Sequence, residues 1–209
     1  MDKARLIQHD MNHIQKVYKE QQHDFFAVTI RPQESFIRQF EQSDRTEVVQ
    51  ELTLSVIKKV QSHLIRKPMR NSTKHLLIDH INVIETKTKY GSKDIEHQHG
   101  LWIVHKDISQ RLNEKFINQI TQSSSFKLYD QKYRFVDAMH SIRCDRISTQ
   151  SNLFMQWDKE LRSWLDYIYK HSTDAGNNFY NEWLAFSHIK NKKNEAPRAL
   201  PNFHQKLVA

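Results

Sequence analysis

Two histidines one residue apart head an apolar run, Ile95-Glu96-His97-Gln98-His99-Gly100-Leu101-Trp102-Ile103-Val104-His105. In a β-strand, residues two apart project from the same face. His97 and His99 therefore stand side by side, as two imidazoles must to grip one divalent ion. The chain holds 13 histidines in 209 residues. A shuffled chain of that composition would carry about one such pair by chance, so the motif draws its weight from the parts around it.

A candidate nucleophile lies further on. The stretch Trp157 to His171 reads as a helix in which Phe154, Trp157, Leu161, Trp164, Leu165 and Ile168 form one apolar stripe. Tyr167 falls at the edge of that stripe, and Lys170 and His171, three and four residues on, share its face. Neighbouring cations stabilise a phenolate and the charge on a phosphate it attacks. Tyr169 points to the other flank.

These groups need elements to bring them together. Phe25 to Ile30 is a buried strand ended by Arg31-Pro32. Asp44-Arg45-Thr46-Glu47 resembles a capping box. Val49, Leu52, Val56, Val60 and Leu64 then recur at helical spacing, up to Arg66-Lys67-Pro68. Leu76 to Thr86 is a second strand, Gly91-Ser92 a turn, and His97 to His105 the return strand of a hairpin. Ile108, Leu112, Phe116 and Ile120 step by four and predict one helix, capped by Asp107 or Ser109 and broken at Ser123-Ser124-Ser125. Phe126 to Ile147 supplies strand-like pieces such as Tyr133-Arg134-Phe135-Val136, and a last helix runs from Phe154 to about Ser172.

This order is the split βαβ, or ferredoxin-like, one. It predicts an α+β fold: an antiparallel sheet with packed helices and an added C-terminal helix carrying Tyr167. The hairpin puts Glu85 near His97 and His99. Two imidazoles and a carboxylate suit Mg²⁺ or Mn²⁺ with positions left open for phosphate and water. Glu96 and Asp79 are the alternative carboxylates. Residues 1–24 read as a polar extension with a weak helical face of Leu6, His9, Asp10, His13, Ile14 and Val17; residues 25–175 form the domain, and 176–209 a tail.

Formal net charge is +8, which favours polyanionic partners. Arg134, Arg143 and Arg146 are candidate phosphate contacts, the other reading being a solvated basic face. No run of 18 apolar residues exists, so no membrane span is expected, and residues 1–24 lack the apolar core of a secretory signal. The single Cys144 excludes an internal disulfide framework and a cysteine-based zinc cluster. A reducing, cytoplasmic setting is the expectation.

Taken in order, the set is an apolar strand ending Thr29-Ile30-Arg31-Pro32, a strand bearing Glu85, the His97-Gln98-His99 strand, and Tyr167-Ile168-Tyr169-Lys170 on a helix. It resembles the HUH endonuclease superfamily, in particular the rolling-circle replication initiators of plasmids and small viruses. The likeness covers about residues 25–172. It departs from the family at Gln98, where an apolar residue is usual. Ser163, four residues before Tyr167, makes it the single-tyrosine type.

The resemblance implies that His97, His99 and Glu85 hold Mg²⁺ or Mn²⁺ and that Tyr167 attacks a phosphate of single-stranded DNA or an origin hairpin. A 5′-phosphotyrosine and a free 3′-hydroxyl result. Lys170 positions the tyrosine or the phosphate, and Thr29 and Arg31 lie along the DNA. No glycine-rich phosphate loop is present, so a helicase would come from the host. Two other readings compete. One is a single-stranded nucleic-acid or origin-binding module that does not cut. The other is a phosphodiesterase that uses water.

Overall fold

The computed structural model describes residues 3–18, 22–66, 70–87, 93–122, 127–128, 133–147 and 154–169. Helix α1 (Lys3–Tyr18) leads into strand β1 (His23–Pro32), a short α2 (Glu34–Ile37) and the long α3 (Arg45–Leu64). A 3₁₀ turn (Asn71–Leu76) precedes β2 (Asp79–Lys87) and β3 (Lys93–His105). Then come α4 (Lys106–Ser109), α5 (Glu114–Thr121), the two-residue strands β4 (Lys127–Leu128) and β5 (Tyr133–Arg134), α6 (Phe135–Ala138), β6 (Met139–Ile147) and α7 (Phe154–Ile168). The fold is α+β. Its four-stranded sheet runs β2-β3-β1-β6 with each neighbouring pair antiparallel. Strands β4 and β5 pair separately. Among the described residues no helix is long and apolar enough to cross a membrane.

Both faces of the sheet are covered, which explains why β1 and β3 read as nearly unbroken apolar runs. Phe26, Val28, Ile30, Trp102, Val104, Ile142 and Cys144 face a core completed by α3 and α5. The alternate residues Phe25, Ile81, Val83, Leu101, Ile103 and Ile147 face a second core shared with α1 and α7. Each large apolar side chain so buried contributes about 1.5–3 kcal/mol of transfer free energy.

Several elements differ from the sequence expectation. The helix expected over Ile108 to Ile120 is two helices. The His105 imidazole accepts from Asp107 N–H to open α4, and the Asn113 side chain accepts from Phe116 N–H to open α5. A local cap outweighs an unbroken apolar period here. Ser109 is no cap; its hydroxyl donates to Asp24. Asp44 stands at the start of α3, but its side chain accepts from the Ser43 hydroxyl rather than capping the helix. The fourth sheet strand is Met139–Ile147, not the Tyr133–Val136 stretch, which divides between β5 and α6. The buried face of α1 is Ile7, Asp10, Met11 and Ile14, while His9 is exposed. Gly91-Ser92, Ser123 to Ser125 and residues 176–209 lie outside the described residues.

Buried polar groups fix two joints. On the α3 side of the sheet, Gln98 Nε2 donates to Asn82 Oδ1 at 2.6 Å, and Asn82 Nδ2 lies 2.7 Å from His80 Nδ1. This chain of amides crosses Gly100, where a Cβ would sit 2.2 Å from both Asn82 Oδ1 and Gln98 Nε2 and 2.9 Å from the Ile81 carbonyl oxygen. On the other side, Tyr169 donates to Asp10 Oδ2 at 2.6 Å, with both residues fully buried. Burial, and after it the Asp10 carboxylate, push the Tyr169 phenol far up, so it stays a donor at every physiological pH.

Tyr169→Phe removes a donor from a buried carboxylate and is expected to cost about 1–3 kcal/mol. Gly100→Ala forces the amides apart and is expected to cost a similar amount, about 1–3 kcal/mol, through overpacking. Urea unfolding midpoints measure both. An unshifted midpoint for either variant would show that its joint does not contribute to stability.

Candidate metal centre

The pairing of β2 with β3 sets Glu85 directly opposite His97, and Val83 opposite His99. Residues directly opposite in an antiparallel pair share a face, so Glu85, His97 and His99 converge on the α1/α7 side. All three are buried, at 7%, 3% and 4% exposure. Burial at this level is costly for a carboxylate unless it is paired or bound to a cation.

The donor atoms meet closely. His99 Nε2 lies 2.9 Å from Glu85 Oε2, His97 Nε2 lies 3.4 Å from the same oxygen, and the two Nε2 atoms are 3.1 Å apart. Ligands bound cis to each other about a divalent ion at ~2.1 Å are spaced by roughly 3 Å. The three donors therefore already have the spacing of one face of a coordination shell.

The far nitrogens are held too. His97 Nδ1 lies 2.8 Å from the Ile95 carbonyl oxygen. A carbonyl only accepts, so Nδ1 carries a proton, which leaves Nε2 as the nitrogen that would bind a cation. His99 Nδ1 bonds to Thr29 Oγ1 at 2.9 Å. Outer partners of this kind fix ring orientation and tautomer in metal sites. The residues present thus fit a divalent cation in number, donor type and spacing.

The two alternative carboxylates lie elsewhere. Glu96 projects from the opposite face of β3 by strand alternation. Asp79 pairs with Ile103 at the far end of β2, six residues from Glu85 and so about 20 Å away.

Helix α7 brings an exposed phenol to the cluster. The Tyr167 ring is 41% exposed, and its centroid lies 5.0 Å from that of His99, nearly edge-on. Trp164 stacks on Tyr167 at 5.2 Å and donates from Nε1 to the Gly100 carbonyl at 3.0 Å. That bond ties α7 to β3 one residue beyond His99. Lys3 pairs with Asp166 at 2.8 Å, and Arg162 donates to Gln8 at 2.9 Å, so α1 braces the outer side of the same helix.

The remaining expected residues divide. Thr29 lies opposite His99 on one side and Arg143 on the other, so His99, Thr29 and Arg143 form a row across three strands. Thr29 turns its hydroxyl to His99. Arg143 is exposed, as is Arg31, two residues beyond Thr29 on the same face. Arg146 lies on the other face: its guanidinium sits over the Phe26 ring at 5.3 Å and 3.4 Å from Asp24. Arg134 belongs to β5. Lys170 lies outside the described residues. Trp164, Asp10 and Tyr169 were not singled out for the site by sequence. Trp164 had a signal, standing one turn before Tyr167 on the same helix, whereas nothing local marks Asp10.

Metal binding requires neutral imidazoles and an ionised carboxylate. Mn²⁺ is therefore expected to raise the melting temperature of the protein, with the effect fading as the pH falls. His99→Ala and Glu85→Gln should each weaken Mn²⁺ affinity at least tenfold in calorimetric titration. Unchanged affinity in both variants would remove this cluster as the binding site.

No protein-family profile matches the chain, and neither curated proteins nor solved structures yield a match.

Proposed function

We propose that this protein is a metal-dependent nuclease and strand transferase of the HUH type, nicking and joining single-stranded DNA through Tyr167. The observation that carries the reading is the exposed Tyr167 ring edge-on to His99, a member of a buried Glu85–His97–His99 cluster. A phenol open to solvent beside a cation-ready cluster is a combination with a chemical use. The strand order β2-β3-β1-β6 with α3 and α5 on one face supports the split βαβ architecture, with α7 as the added helix.

In this reading Glu85, His97 and His99 hold Mg²⁺ or Mn²⁺. The ion, when bound, supplies positive charge to the non-bridging oxygens of the scissile phosphate. Two imidazoles among the ligands favour Mn²⁺ over Mg²⁺ on softness. Arg31 and Arg143, exposed on the cluster's face, attract the DNA backbone. Tyr167 releases its phenolic proton to solvent, and its oxygen attacks phosphorus. The new bond is tyrosine O–P, the bond that breaks is P–O3′, and the departing 3′ oxygen takes up a proton. The phosphoester energy is retained in the 5′-phosphotyrosine, so a later 3′-hydroxyl can reverse the step. Replication initiation on a plasmid or small virus, with a host helicase opening the duplex, is the setting that matches such chemistry.

The test uses a randomised single-stranded DNA library with Mn²⁺, run for wild type, Tyr167→Phe and His99→Ala on a denaturing gel. A covalent protein–DNA adduct is expected in wild type alone, and sequencing the attached strand gives the target. Native retention of DNA by all three proteins without any adduct would leave a binding module. Cleavage that survives Tyr167→Phe would mean water is the nucleophile.

A further inference from the structure

A second group of metal-type donors stands at the other end of the sheet. His105 closes β3 and is 8% exposed. Its ring meets His23 edge-on at 5.2 Å, across the β1–β3 pairing, and His75 edge-on at 5.3 Å. Asp107 Oδ2 lies 3.5 Å from His105 Nδ1. One donor atom each from His75, His105 and Asp107 fall within 4.8 Å of one another.

These residues come from three stretches of chain: the 3₁₀ turn before β2, the start of β1, and the junction of β3 with α4, where His105 and Asp107 lie two residues apart. The tertiary fold brings the three stretches together. His105 is six residues from His99 and eight from His97, hence about 20–26 Å along β3. No single ion can serve both groups.

We propose that His75, His105 and Asp107, with the His23 ring packed beside them, form a second divalent-metal site of the zinc class. The donor set is the reason. Imidazoles and one carboxylate, without a thiolate, match zinc in four-coordinate geometry. Tetrahedral ligands at ~2.0–2.1 Å stand roughly 3.3 Å apart, so the group must contract by up to about 1.5 Å. His75 and Asp107 are both exposed, while His105 is buried, its Nδ1 accepting from Asp107 N–H and its Nε2 lying 3.4 Å from Gln22 Oε1, so the ion would replace one of these bonds. The ion would tie the 3₁₀ turn before β2 to the end of β3 and the start of α4. It would therefore act on the folded state as a staple rather than on a reaction.

The experiment uses the full chain with the first cluster disabled by His97→Ala and His99→Ala, and offers Zn²⁺ or Co²⁺ alone. The expected result is one bound equivalent, a visible Co²⁺ absorption of tetrahedral intensity, and a raised melting temperature. His75→Ala and Asp107→Ala, both exposed and so tolerated by the fold, should each weaken Zn²⁺ affinity at least tenfold while leaving the metal-free melting temperature unchanged. Absence of a bound equivalent overturns the proposal, and so does equal affinity with His75 and Asp107 both replaced. Neither result bears on Tyr167, whose test is separate.

Discussion

The pairing of β2 with β3 is the constraint on which the rest depends. Side chains alternate across a strand, so a slip of one residue would carry Glu85 to the α3 side while His97 and His99 stayed on the other. The register is held from both faces at once. On one, Ile81, Val83, Leu101 and Ile103 enter the α1/α7 core. On the other, Gln98 donates to Asn82, and Asn82 meets His80, in a buried line. A slip would bury those amides without partners, at about 1–3 kcal/mol for each group left unpaired. Gln98, the departure from the usual apolar residue between the two histidines, thus has a structural role on the face away from the metal donors.

The second requirement is a fixed α7. A helix lying on a sheet through Leu161, Leu165 and Ile168 alone could slide. Trp164 bonds to a strand carbonyl, and Tyr169 donates to a buried carboxylate on α1. The pair Tyr167 and Tyr169 shows how one turn of helix serves two purposes. The residues are separated by about 200° around the axis, so one is sealed in the core and the other faces solvent beside His99.

Much of this was legible in the sequence because it follows from short-range periodicity. The His97–His99 pair and the strand around it follow from a period of two, and the hairpin set Glu85 beside them. The stripe on α7 and Tyr167 at its edge follow from a period of 3.6. What stayed hidden was set by tertiary context. Asp10 is a polar residue in a polar helix, and only its depth makes it the partner of Tyr169. Asn113 splits the α4–α5 segment through a cap that competes with an apolar period still in step on either side. The fourth strand hides its alternation because Arg143, Asp145 and Arg146 leave a thin apolar signal in Ile142, Cys144 and Ile147. Arg143 and Arg146, three residues apart on a strand, face opposite ways, so only Arg143 shares the face of His99.

Gly100 joins these threads at a single backbone position. Its missing side chain makes room for the Asn82–Gln98 amides on one face, and its carbonyl receives the Trp164 indole serving the other. Two side chains that never touch, Asn82 and Trp164, are therefore energetically linked through one peptide unit. Epistasis across the thickness of the sheet is the genetic form of that link. In diverging copies of this chain, changes in the polar line under β3 and changes in the aromatic stack above it would be accepted together more readily than apart.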